Sequence, residues 1–226
     1  GSAEFNGRRY LVQPGVLIPR PETEELVQAS TNVIQWLFSQ SILPVVFECG
    51  MGSGVISLEL AQLFSQLSFF GWDISSVAVD ITRQNMTKFG VSNLTTQEGD
   101  FFSLAGDCYE SSRTHVLVSN PPYVSESEYA LMTDHVKQEP KLALVALDDG
   151  VSIIAQLIEF AVAHAMILIC EIGYKQRGLL LAKYPDLPLF FAKDLSGHDR
   201  FLFYFPMKMP PSDELKNKLN MMPSAG

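Results

Sequence analysis

The chain has 226 residues, 47% of them hydrophobic and 18% charged, a balance that suits one large domain with a substantial core and excludes a disordered chain. Lys and Arg number 16 against 25 Asp and Glu, a net charge of −9, which disfavours a nucleic-acid backbone as partner because affinity there comes largely from cations. Cys49, Cys108 and Cys170 are far apart, with no CxxC or Cys/His cluster, so no metal site is expected and a reducing compartment is; no apolar run reaches the roughly 18 residues of a membrane span.

In chain order, Gly1-Ser2 reads as a cloning scar, so an N-terminal portion is expected to be missing. "EFNGRRYLV" predicts a hairpin, with Asn6-Gly7 as a type I′ turn. Pro19 and Pro21 stiffen the entry to a helix that runs to about Phe38, and Glu22, Glu24 and Glu25 crowd its positive end. From Val45 strands and helices alternate. Strands are expected at "VVFEC", "LSFFGWD", "LTTQEGD", "THVLVSN", "AMILICEIG", "LPLFFAKD" and "RFLFYF". Helices are expected over 55–66, 76–89, 150–164 and 176–184. The alternation predicts an α/β fold whose sheet is mostly parallel and seven-stranded, with an antiparallel C-terminal edge strand and a preceding β-hairpin. The expected divisions are a hairpin and linker over 1–20, an α/β domain over 21–206 and a polar tail over 207–226. The Pro-rich tail reads as a surface or disordered appendage holding at most a short helix capped by Ser212.

Chemistry concentrates at two strand ends. "FECGMGSG" closes the first strand of the alternating unit, with Gly50, Gly52 and Gly54 at every second position. Glycines there permit positive φ and let backbone approach a ligand. Nineteen residues after Gly54, Asp73 ends the second strand, where an acid can accept both hydroxyls of a ribose. A tight strand–helix turn without ligand is the plain alternative for the glycines alone. The spacing G-x-G-x-G departs from the dinucleotide G-x-G-x-x-G, and a Walker lysine is absent. Preceded by Glu48, it resembles the first motif of Rossmann-like class I methyltransferases, which implies S-adenosylmethionine as cofactor and S-adenosylhomocysteine as product. Glu48, Gly50, Met51, Gly52, Ser53, Gly54 and Asp73 are then cofactor-binding candidates. In "EGDFF", Asp100 is placed to bond the adenine amino group and Phe101 to pack on its face, with core packing as the alternative for Phe101.

"VLVSNPPYV" is the second strand end. Two prolines fix φ and donate nothing, so their carbonyls sit on a stiff support. The carbonyl of Asn120 and a proline carbonyl make two acceptors, which suit a planar NH₂ group with two donors. Asn120, Pro121, Pro122 and Tyr123 are the catalytic candidates: the acceptors aim a weakly nucleophilic nitrogen at a methyl carbon, and Tyr123 supplies a flat wall. Asn120 also borders the cofactor. The loop alone leaves glutamine and adenine open as methyl acceptors.

Further stretches carry a closer resemblance: "IPRPETE", "NPPYV" followed by "EPKLAL", and "CEIGYKQ" with "DLSGHDRFL". In order and spacing they resemble the HemK/PrmC-type release factor glutamine methyltransferases over about 4–205. The resemblance implies methyl transfer from S-adenosylmethionine to the N5 amide nitrogen of the glutamine in the GGQ motif of a peptide chain release factor. It implies Arg20, Pro21 and Glu22 at the substrate entrance, Phe101 by the adenine, and Asn120 to Tyr123 around the glutamine. A monomer in the cytoplasm, or in an organelle of a eukaryote, follows as the expected form, with no membrane partner. Adenine-N6 methylation of RNA or DNA is the alternative activity, and a non-catalytic binding module a third reading. Three departures stand out: Met51 inside the glycine loop, "ALDDGVS" without a double glycine, and no room for the family's small helical N-terminal domain.

Overall fold

A computed structural model describes residues 1–132, 140–146 and 150–223. The N-terminal strands β1 (Ser2–Phe5) and β2 (Arg8–Leu11) pair antiparallel. Asn6 and Gly7 turn between them at φ of 48° and 70°, the left-handed pair that a type I′ turn requires. Helix α1 (Pro21–Ser39) follows with Pro21 at its first position. Then come β3 (Val45–Cys49), α2 (Val55–Leu63), β4 (Phe69–Asp73), α3 (Ser76–Phe89), β5 (Leu94–Glu98), the single-turn α4 (Phe101–Leu104) and β6 (His115–Ser119). After α5 (Glu126–Leu131) the chain continues through α6 (Ser152–Ala163), β7 (Ile167–Glu171), α7 (Gln176–Lys183), β8 (Leu189–Lys193), β9 (Asp199–Tyr204), α8 (Asp213–Lys218) and β10 (Met222–Pro223).

The main sheet has the order β10-β8-β9-β7-β6-β3-β4-β5. Strands β5, β4, β3, β6 and β7 are mutually parallel. The C-terminal hairpin is the antiparallel part: β9 pairs with β7 and β8 lies outside it. Side chains alternate between two cores, as the period of two dictates. Val46, Val116, Val118, Ile167 and Ile169 join the α1–α2 layer on one face. Val45, Phe47, Leu117, Leu168 and Cys170 join α6 and α7 on the other. Both faces being covered explains why these strands read as continuous apolar runs.

The tail departs from the expected appendage. Ser212 caps α8, its Oγ accepting the Leu215 amide at 3.2 Å. Leu215 and Met221 are buried in the first core, and β10 adds to the sheet beside β8. Met209 and Leu219 pack beside Leu215 and Met221, so a few scattered apolar side chains dock a polar stretch. The short helices α4 and α5 were also absent from the expectation, since one or two turns carry little periodicity.

Candidate active site

The parallel strands all end on one edge, and both candidate motifs lie there. Beyond β3, Gly50, Gly52 and Gly54 adopt φ of 73°, 56° and 79°. A Cβ on Gly54 would stand 2.7 Å from Thr82 Cγ2, so glycine lets α2 start tight against α3. A Cβ on Gly50 would meet nothing within 4 Å; that side of the loop faces open space. Asp73 holds the loop: its Oδ2 accepts the Gly52 amide and its Oδ1 the Ser75 amide, each at 2.9 Å. Burial pushes the Asp73 carboxyl up, against the pull of those two N–H groups. Thr82 donates to the Gly52 carbonyl at 3.0 Å. Met51 is buried, its Sδ packed against Gly71. Ser53 is buried too, and its carbonyl accepts from Asn85, which also exchanges two hydrogen bonds with Leu11. The hairpin is thereby fastened to the glycine loop.

Glu48 is 1% exposed. Its Oε2 accepts the Ser57 amide at 3.0 Å and the Ser57 hydroxyl, while Oε1 has no hydrogen-bond partner. Burial pushes this carboxyl up to about 8, with Ser57 opposing and Asp73 adding. An orphaned buried oxygen is a group a ligand can satisfy.

One expectation changes at the end of β5. Asp100 caps α4, its Oδ1 accepting the Phe102 amide at 3.3 Å and its Oδ2 the Ser103 hydroxyl at 2.7 Å. Phe101 does not offer a ring for an adenine to cover. It is 3% exposed and packs with Trp72, Phe102 and Phe160 at centroid distances of 5.4, 5.3 and 4.9 Å. The turn that Asp100 caps sends this ring into the second core.

The NPPY loop follows β6, whose last residue, Ser119, donates to the Cys49 carbonyl at 2.7 Å and so joins the two strand ends. Asn120 Nδ2 donates to Thr23 Oγ1 at 2.9 Å. Thr23 donates to Glu171 Oε2 at 3.2 Å, and the Tyr123 hydroxyl to Glu171 Oε1 at 3.0 Å. Three segments therefore meet: α1, the loop and the end of β7. Asn120 Oδ1 and the carbonyls of Pro121 and Pro122 accept no hydrogen bond from the described residues. The Tyr123 carbonyl is taken by Gln176 Nε2 at 2.9 Å, while Gln176 Oε1 accepts the Gly173 amide at 2.8 Å. Gly150 passes beneath at φ of 83°; a Cβ there would stand 2.0 Å from the Tyr123 oxygen. Val124 exchanges backbone bonds with Leu144 and Ala146, each at 2.9 Å, so the "KLAL" segment braces the loop.

Burial pushes Glu171 up to about 7; Tyr123, Arg200 and Thr23 oppose this and Glu22 adds to it. Arg200 is itself held by Asp194 at 3.0 Å and by the Ile172 carbonyl at 3.3 Å. "LSGHDR" is thus more than a turn. Arg20 and Pro21 form the N-terminal entry of α1 beside Thr23, and Glu22 lies in electrostatic reach of Glu171 and Tyr123. Thr23, Glu171, Gln176 and Arg200 were not singled out by sequence, although all four lie inside stretches that carried the family resemblance. Glu139, His135 and Leu147 to Asp149 lie outside the described residues.

Residues 44–172 match the family model described as a methyltransferase domain. The release factor glutamine methyltransferase of Bacillus anthracis is 34% identical over 212 residues, 90% of this chain and 73% of that protein. The one from Rhodopirellula baltica is 35% identical over 214 residues, 89% and 70% of the two chains. Among solved structures, the hMettl16 catalytic domain in complex with MAT2A 3'UTR hairpin 1 superposes with a TM-score of 0.68 at 11% identity, covering 90% of this chain and 78% of that one; the likeness shows a shared fold. The glycine loop, the NPPY loop and the segments that brace it sit in a chain that belongs to the release factor glutamine methyltransferase family.

Proposed function

We propose that this chain transfers a methyl group from S-adenosylmethionine to the side-chain amide nitrogen of the glutamine in the GGQ motif of a peptide chain release factor. The observation that carries the reading is the Asn120 amide. Its nitrogen is committed to Thr23, so Oδ1 is the atom left to accept from a substrate. With a proline carbonyl it supplies two acceptors for the two donors of a glutamine NH₂.

The residues present fit the cofactor. Gly50 faces open space, Glu48 offers an unpaired oxygen, and the Asp73 oxygens hold one N–H each with lone pairs to spare. Gly50, Gly52, Gly54, Glu48 and Asp73 would hold it, with Asp100 toward the adenine and Met51 and Ser53 serving through their backbone. When bound, it supplies a methyl group on a sulfonium, which needs no further activation as an electrophile. Asn120 and Pro121 hold the amide by its N–H bonds and point the nitrogen; Pro122 stiffens the support, and Tyr123 closes one side. An amide nitrogen that has gained a methyl group is strongly acidic, so its proton leaves without a strong base. Arg20, Pro21 and Glu22 line the way in. The chain's acidity suits a protein substrate better than a nucleic acid, and its three free thiols suit action in a reducing cytoplasm, where we propose it works as a monomer.

The test is mass spectrometry of a release factor incubated with the chain and S-adenosylmethionine. One added methyl on the GGQ glutamine is expected. A methyl on adenine of an added RNA, with the release factor unmodified, would contradict the reading.

A further inference from the structure

We propose that Thr23 and Glu171 are positioning residues for methyl transfer: they fix which end of the Asn120 amide faces the substrate. The proposal rests on the amide-clamp reading given above. An asparagine amide fits its site in two orientations that differ little in shape. With Oδ1 toward the substrate it accepts from the glutamine NH₂; with Nδ2 there it sets donor against donor.

Thr23 decides between them. Its side chain is buried, and its hydroxyl has one hydrogen to give. Glu171 Oε2 takes that hydrogen at 3.2 Å, which leaves only lone pairs on the Thr23 oxygen. Asn120 must therefore turn Nδ2 toward Thr23, as it does at 2.9 Å, and Oδ1 away from it. The other Glu171 oxygen takes the Tyr123 hydroxyl at 3.0 Å. One buried carboxylate thus orients the acceptor and the aromatic wall together, through α1 on one side and the loop itself on the other.

The arrangement needs Glu171 as a carboxylate, because each oxygen receives a donor. The groups that act on it are Glu22 and Thr23 of α1, Tyr123 of the loop, Arg200 of β9 and the neighbouring Cys170 thiol. Arg200, anchored by Asp194, favours the charge; Glu22 opposes it. Protonation places a hydrogen on one oxygen. If Thr23 loses its acceptor, its hydrogen is free to turn to Asn120, and the amide then gains by turning over. Burial holds this carboxyl near pH 7, so transfer should weaken as pH falls below that value.

The test measures kcat, the KM for a release factor and the Kd for S-adenosylmethionine, from about pH 5 to about pH 9, for the unaltered chain, Thr23→Val, Thr23→Ser, Glu171→Gln and Asn120→Ala. Thr23→Val should lower kcat by about 10- to 100-fold, with cofactor Kd changed by less than about threefold. Thr23→Ser, which keeps the hydroxyl, should recover most of the loss. Glu171→Gln should lower kcat and abolish the acidic limb near pH 7. Full kcat in Thr23→Val, a serine variant as slow as the valine one, or an unchanged acidic limb in Glu171→Gln would each overturn the proposal. Should Thr23→Val fail to fold, the serine variant and the pH limb of Glu171→Gln still decide. Asn120→Ala separates the two levels: if it transfers normally, the clamp reading fails; if it is inactive while Thr23→Val is not, only the relay fails.

Discussion

The glycine-loop side of the site is a largely local construction, whereas the NPPY side is assembled from afar. Glu48, Gly52, Ser57, Asp73, Ser75 and Thr82 bond to one another within a single βαβα stretch, mostly through backbone N–H groups and carbonyls. Asn120 and Tyr123 instead depend on side chains 97 and 48 residues away, Thr23 and Glu171, and on Gln176, 53 residues away. A loop held by its own backbone tolerates changes of side chain. A loop held by remote side chains is tied to α1 and to the ends of β7 and β9.

The difference can be broken or sharpened by experiment. The largest effect is expected from Asn120→Ala: kcat should fall by about 10²- to 10³-fold, the cost of losing one directed hydrogen-bonding group, with calorimetric affinity for S-adenosylmethionine nearly intact. Parallel loss of both would join the two halves into one. Next comes a crossed pair of glycines. Gly150→Ala puts a Cβ 2.0 Å from the Tyr123 oxygen, and Gly54→Ala one 2.7 Å from Thr82 Cγ2. Each is strained at positive φ by roughly 1–2 kcal/mol before any clash. The first should depress kcat, and the second should weaken cofactor binding; the reverse assignment would contradict the division.

A smaller effect concerns pH and stability. Glu48 and Glu171 are raised to about 8 and about 7. A carboxyl raised in the native state stabilises the fold below its unfolded value, and that contribution is lost as pH rises through the native one. The cofactor-free melting temperature should therefore fall between about pH 5 and about pH 9, and Glu48→Gln should flatten the slope. A melting temperature that climbs over this range would show that these carboxyls are not raised. Smallest of all, Ser212→Ala should cost about 1 kcal/mol in urea unfolding and leave transfer unchanged, because α8 packs against the α1 layer away from the NPPY loop.

The glycine loop and Asp73 were legible in the sequence as one unit because their signal is compact: three alternate glycines and an acid at the next strand end. The alternating strands and helices were equally plain, each strand being a short apolar run. Thr23 and Glu171 were not legible. A threonine among glutamates at a helix start reads as helix entry, and a glutamate ending an apolar strand has no visible partner. Their meaning lies in a contact spanning 148 residues, which no local pattern encodes. Phe101 follows the core-packing alternative for the opposite reason: an aromatic after an acid looks available, but the turn that Asp100 caps points the ring inward. The docked tail was hidden because its few apolar side chains, Leu215 and Met221 with Met209 and Leu219 beside them, are scattered through a polar stretch.

The most direct test offers the chain three acceptors in one reaction with labelled S-adenosylmethionine: a release factor, the same factor with its GGQ glutamine changed to alanine, and an RNA hairpin. The account predicts label on the first alone. Label on the hairpin, or on the alanine variant as much as on the intact factor, would contradict it.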